Sequence, residues 1–387
     1  MRGKRLAIVV GAVVLVLAAV FILIHMRSKS VGHYTVYVGG YGSSAVKCDF
    51  NSKTYDYGIL SDFKADNPSY MVLSKSAGLI YGVSESGINS GVWGYSNNGI
   101  AQPMGYLRDG GADACFITLF RGHLFTANYG KGGISVYPLD TAGNIKAPVQ
   151  IINFATTGSR NKVSRIHMVK FVTGKNSKND YLLATDKGLD RIHIMRLGDD
   201  TSSAKAENLL YGKPVRLYRC DSSFVSTPEG YGPRHIEISN DGKFLYLLCE
   251  TSGHVLVYSI RESDNNIILK QLQDTISDLE NAGASADIHL SPDGRFLYTS
   301  NRRGKDGIAI FRVGEDGLIT RIAYQVTDRW PRSFAITPDG EFMFVCCQKD
   351  KTVQIFRIDQ ASGYLINTGK KISFPDLEPS CVLVKSV

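Results

Sequence analysis

The sequence predicts an all-β protein: a seven-bladed β-propeller of four-stranded antiparallel blades, preceded by one N-terminal transmembrane helix. Three observations carry this. A strand–turn–strand–loop–strand unit recurs along the chain, and such self-similarity at about 40–50 residues is the mark of a propeller. The composition, with 39 glycines, 20 tyrosines and only 12 prolines in 387 residues, suits many turns between aromatic and β-branched strands. One uncharged apolar run, Leu6–Ile24, stands apart from everything after it.

That run is nineteen residues long, just enough to cross a hydrocarbon core as a helix. A cleaved secretory signal has a shorter apolar region ending in small residues. Here "HMRSKS" follows, so an uncleaved anchor is favoured. Residues 1–30 are read as a cytoplasmic tip and anchor, and 31–387 as the propeller. Flanking basic residues lean towards a cytoplasmic N-terminus and an extracytoplasmic propeller. Cleavage with secretion, or a cytoplasmic-facing propeller, are the alternatives.

The formal charge is +8, but Arg2, Lys4, Arg5, Arg27 and Lys29 supply five of those charges. The propeller is therefore only mildly basic and has no Lys/Arg run that would read phosphates, so nucleic acid is set aside as a partner. Seven cysteines (48, 115, 220, 249, 346, 347 and 381) include no C-x-x-C pair, and several sit inside apolar strands. They read as small buried hydrophobes. No His/Cys spacing suits zinc, and neither metal nor cofactor is expected.

The repeat is clearest in "GPRHIEISNDGKFLYLLCETSGHVLVYSI", "SADIHLSPDGRFLYTSNRRGKDGIAIFRV" and "WPRSFAITPDGEFMFVCCQKDKTVQIFRI". Weaker copies begin near residues 68, 112 and 165, and "PSCVLVKSV" closes the chain. The D-G pairs are hairpin turns. Aligned first strands place Ser69, Ala114, His167, Arg234, Ala286, Arg332 and Ser380 in register, at spacings of 45 to 67 residues. "HYTVYVGGYG" (33–42) should pair with the C-terminal strand and close the ring, removing the open sheet edges. The segment 198–231 reads as a polar insertion.

First strands line a propeller's channel, so their starts form one ring at one mouth. The ends of the second strands form another, holding Glu85, Asn128, Asp186, Glu250, Asn301-Arg302 and Gln348. A hairpin brings these two ends together. Glu250 should then lie beside Arg234, and Asp186 beside His167. Polar rings also arise where side chains merely plug a channel, so register leaves structure and function both open.

"GPRH…Y…E", "SPDGRFLYTSNR" and "PRSFAITPDGEF" resemble the seven-bladed lactonase family, which includes propeller-type 6-phosphogluconolactonases and 3-carboxy-muconate lactonizing enzymes. The resemblance spans about 33–387. "RIHMV" and "DKGLDR" are similar to the family's H-x-H and D-x-G-x-D-R patterns, with Arg165 replacing the first histidine. The resemblance implies a catalytic set of His167, Arg234, Glu250 and Arg302. Arg332 is a third anion contact, and Asn301, Asp186, Gln348 and His235 complete the expected substrate-binding set. The implied activity is hydrolysis of an anionic lactone. Ring closure of the carboxymuconate type, or a non-catalytic anchored binding propeller, are the alternatives. Hydrolysis needs a base for water and cations for the oxyanion. His167 has the better-placed unperturbed pKa for a base, and the arginines suit bidentate anion contacts.

Overall fold

The computed structural model describes residues 32–387 apart from 75–77, 97–101, 110–111, 155–161, 174–179, 200–208, 211–212, 262–265 and 276–282. The expected anchor at 1–30 lies outside the described residues. Among those described, no helix is long and apolar enough to cross a membrane.

Among the described residues, twenty-eight strands form seven four-stranded antiparallel sheets. The first sheet contains β1 (His33–Gly42), β2 (Ser44–Asn51) and β3 (Tyr57–Lys64). Next come β4 (Tyr70–Leu73), β5 (Leu79–Ser84), β6 (Gly91–Ser96) and β7 (Gln102–Arg108), then β8 (Ala114–Phe120), β9 (His123–Asn128), β10 (Gly133–Pro138) and β11 (Gln150–Asn153). The fourth blade is β12 (Ile166–Val172), β13 (Tyr181–Asp186), β14 (Arg191–Asp199) and β15 (Val215–Ser226). The fifth is β16 (Pro233–Ile238), β17 (Phe244–Cys249), β18 (His254–Arg261) and β19 (Asn266–Asp274). The sixth is β20 (Ile288–Leu290), β21 (Phe296–Asn301), β22 (Gly307–Val313) and β23 (Ile319–Val326). The seventh is β24 (Pro331–Ile336), β25 (Phe342–Cys347), β26 (Thr352–Ile358) and β27 (Leu365–Ser373). The last strand, β28 (Leu377–Ser386), returns to the first sheet, whose order is β28-β1-β2-β3. The expected closure between the two ends of the strand pattern is therefore present, with Val36 opposite Val384.

Strand β28 packs against both β24 and β4, and β4, β8, β12, β16 and β20 meet in succession, so the first strand of every blade surrounds a channel. Apolar side chains fill the space between blades. One cluster joins Phe125, Leu183, Ile192, Leu247 and Tyr258 across three neighbouring sheets. The D-G turns are built alike. Gly242, Gly294 and Gly340 have φ of 74–75°, where glycine has no Cβ to strain. In each turn a Ser or Thr hydroxyl donates to the Asp carboxylate: Ser239 to Asp241, Ser291 to Asp293 and Thr337 to Asp339.

One element corrects the sequence reading. About a third of the supposed insertion at 198–231 is β15, the outer strand that completes the fourth blade. Its "VRLYR" start alternates Val215 and Leu217, buried, with half-buried Arg216 and Tyr218, and that second half of the alternation hid it. The six described cysteines are all free and buried.

Candidate active site

The site rests on a repeated irregularity. In β16 the pairing runs Pro233 with Cys249 and then His235 with Leu248, so Arg234 is one residue too many. The same bulge ejects Cys115 from β8, His167 from β12 and Arg332 from β24. Before β20, Ala286 and Asp287 share Ser300 and Ile288 then pairs with Thr299, which singles out Asp287. In β28 the step falls at Ser380. A bulge re-aims a side chain without breaking the strand, and here it sets one residue apart in six of the seven channel strands, while β4 pairs with β5 without a shift. In two blades the bulge falls one residue later than the aligned repeat predicts: Cys115 and Asp287, rather than Ala114 and Ala286, are set apart. In the fifth blade the chain enters its bulge through Gly232 at φ 65°, where a Cβ would strike Thr251.

Arg234 and Glu250, set at the two ends of one hairpin, meet there. Arg234 Nε donates to Glu250 Oε2 at 3.1 Å. Arg302 Nη2 lies 3.3 Å and Lys187 Nζ 3.0 Å from Glu250 Oε1. Three cations thus surround one carboxylate. Burial would raise the Glu250 pKa, but Arg234, Arg302 and Lys187 outweigh it and pull it down to about 2. Glu250 is a fixed anion and a poor base. Arg302 is held by the Ala284 carbonyl at 2.5 Å and lies over the Trp330 ring, 5.5 Å from its centroid. Burial and Arg234 lower its pKa to about 9, which leaves it charged at neutral pH. Arg332 donates through Nη2 to the Tyr41 hydroxyl at 2.9 Å, and Tyr41 donates to Glu85 at 2.9 Å.

His167 belongs to the same cluster. Its ring lies edge-on to Tyr129, with centroids 5.7 Å apart, and to His235, at 5.3 Å. Burial first, then the charges of Arg234, Lys187 and Arg332, hold its pKa well below 6.5. It is therefore a neutral imidazole, and its buried Nδ1 has no hydrogen-bond partner among the described residues.

The other expected residues are placed differently. Asp186 pairs with Ile166 on the backbone, but its carboxylate turns away from His167. It accepts from Ser164 Oγ, from the Arg165, Gly188 and Leu189 amides, and lies 3.0 Å from His193 Nε2. It ties the turn that presents Lys187. Asn301 accepts from the Thr275 and Ser285 hydroxyls and buttresses the strand end before Arg302. Gln348 donates to Glu378 at 2.9 Å. His235 sits behind Arg234 with both ring nitrogens engaged. Arg165 bonds the Tyr129 and Gly130 carbonyls and braces the neighbouring loop. Sequence reasoning missed Lys187, Tyr41 and Trp330 as members of the cluster. Lys187 was visible in "DKGLDR" as a cation one residue past a second-strand end, while nothing in the repeat marks Tyr41 or Trp330.

The family model of the seven-bladed beta-propeller lactonases matches residues 30–384. The chain belongs to that family. A protein from Formosa agariphila named 6-phosphogluconolactonase is 31% identical over 333 residues, covering 82% of this chain and 89% of that one. A Bacillus subtilis protein of the same name is 26% identical, covering 92% and 98%. The solved structure of a periplasmic gluconolactonase from Pseudomonas aeruginosa superposes with a TM-score of 0.80 at 26% identity, covering 92% of this chain and 99% of that one.

Proposed function

We propose that this lactonase-family propeller hydrolyses an anionic, sugar-derived lactone at the channel mouth, in the manner its 6-phosphogluconolactonase relatives' name describes. The observation that carries the reading is the excess of cations beside an unprotonated imidazole. Lys187, Arg234 and Arg302 share one carboxylate, Glu250, next to neutral His167. Buried unmatched positive charge is expensive, and a negatively charged substrate supplies the missing counter-charge.

The chemistry follows from the groups present. His167 accepts a proton from water as the oxygen attacks the lactone carbonyl carbon. Arg234 and Arg302 stabilise the tetrahedral oxyanion. The ring C–O bond then breaks, and the imidazolium returns its proton to the departing alkoxide, giving a hydroxy acid. Glu250 stays ionised and holds the three cations in place. Arg332, carried by Tyr41 and Glu85, contacts a second anionic group of the substrate. The Leu6–Ile24 run supports an N-terminal anchor with an exported propeller. That placement favours an extracytoplasmic lactone over a cytosolic phosphorylated intermediate, in keeping with the periplasmic gluconolactonase that shares the fold.

The test is turnover of a lactone panel by the solubilised full-length protein. His167→Ala and Arg234→Ala should each lower kcat/KM by about 100-fold or more. Native rates in both variants, or no turnover of any lactone by the native protein, would sink the reading. Protease treatment of intact cells reports which side of the membrane carries the propeller.

A further inference from the structure

We propose that Asp287 and His235 are a positioning pair for Arg234, fixing its guanidinium so that Nη2 is kept for the substrate. This rests on the lactone-hydrolase reading of the site.

The argument begins with proton bookkeeping. A guanidinium only donates. Arg234 Nη1 lies 3.1 Å from His235 Nε2, so Nε2 must offer a lone pair. The imidazole proton is then on Nδ1, which donates to Asp287 Oδ1 at 2.8 Å. The ring is 4% exposed and both its nitrogens are used, so it cannot turn towards substrate. Asp287, 1% exposed, is equally fixed. Its Oδ2 accepts from Ser333 Oγ at 2.8 Å and from the Phe334 amide at 3.1 Å, and lies 3.3 Å from His289 Nε2. Its Oδ1 also accepts from the Ile288 amide. His289 continues to Glu237 at 3.4 Å, and Glu237 to Lys170 at 2.9 Å. The buried carboxylates are thus compensated down the channel, and the orientation of one imidazole is set from three blades.

At the other end the chain stops on Arg234. Its Nε is taken by Glu250 and its Nη1 by the Ala286 carbonyl and His235. Nη2 has no protein acceptor among the described residues. A proton relay is ruled out by the same geometry, since Arg234 has no lone pair to pass a proton through. What remains is orientation, and a misplacement of about 1 Å at a reacting centre can cost about 100-fold in rate.

The experiment uses full-length protein with His235→Phe and His235→Gln. Phenylalanine keeps the edge contacts to Tyr70 and Phe116 but offers Arg234 no acceptor. Glutamine can accept from Arg234 with its carbonyl oxygen and donate to Asp287 with its amide. The expected result is a fall in kcat of about tenfold or more for the Phe variant, with a smaller change in KM, and near-native kcat for the Gln variant. A folded Phe variant with native kcat overturns the proposal, and so do Phe and Gln variants that fall equally. Independently of turnover, ¹⁵N spectra of the His235 imidazole should show Nδ1 protonated and Nε2 bare at neutral pH. The opposite tautomer, or an imidazolium, overturns the pair even if no lactone is ever hydrolysed. Absent turnover with the expected tautomer refutes the hydrolase reading alone.

Discussion

His167 is a base whose surroundings oppose its charging. In the free protein burial, and after it the neighbouring cations, keep its pKa well below 6.5. The unprotonated form is the active one, so activity should rise with pH through that depressed pKa. A bound anionic lactone offsets Arg234, Lys187 and Arg332, which makes the imidazolium easier to form and moves the pKa up. The kcat/KM profile reports the free protein, and the kcat profile the complex. The acid limb of kcat should therefore lie at higher pH than that of kcat/KM. Limbs that coincide, or fall in the reverse order, would mean that the substrate's charge is not held near His167. Glu250 behaves oppositely: with its pKa near 2 it stays ionised throughout that range, and no second limb should come from it.

Three blades are locked to the next by a buried tyrosine of the second strand. Tyr81 reaches the Gly143 carbonyl at 2.7 Å, Tyr246 reaches Gly317 at 3.0 Å and Tyr298 reaches Gly363 at 2.9 Å. Tyr298→Phe strips a buried carbonyl of its donor and should cost about 1–2 kcal/mol, read as a lowered Tm. Tyr258 is just as buried, yet its hydroxyl has no partner among the described residues. Tyr258→Phe should therefore be neutral or stabilising, and equal losses in the two variants would refute the lock. These elements also show what a sequence makes legible. Hairpins with D-G turns and alternating strands declare themselves, so the blades and the meeting of Arg234 with Glu250 could be read directly. A bulge has no composition of its own. The register therefore passed over Cys115 and Asp287, and pointed Asp186 at His167 when its carboxylate ties a turn instead. Lys187, aimed by that turn, depends on side-chain direction that periodicity does not encode.

At the scale of the whole molecule, the ring depends on β28, which pairs with β1 and places Ser380 on the channel. Deleting residues 377–387 leaves β1 without its inner neighbour and the ring open. The truncated protein should aggregate or lose its cooperative melting transition, and a soluble, sharply melting truncation would contradict the role given to β28. The same closure sets a timetable for biogenesis. A ribosome releases β1 well before β28, so the chain lengths in between carry an unsatisfied strand edge. Long-range pairing of this kind is slow and exposed to misassembly. The ring becomes one body only once β28 has been made, and whatever escorts the nascent chain must shield that edge until then.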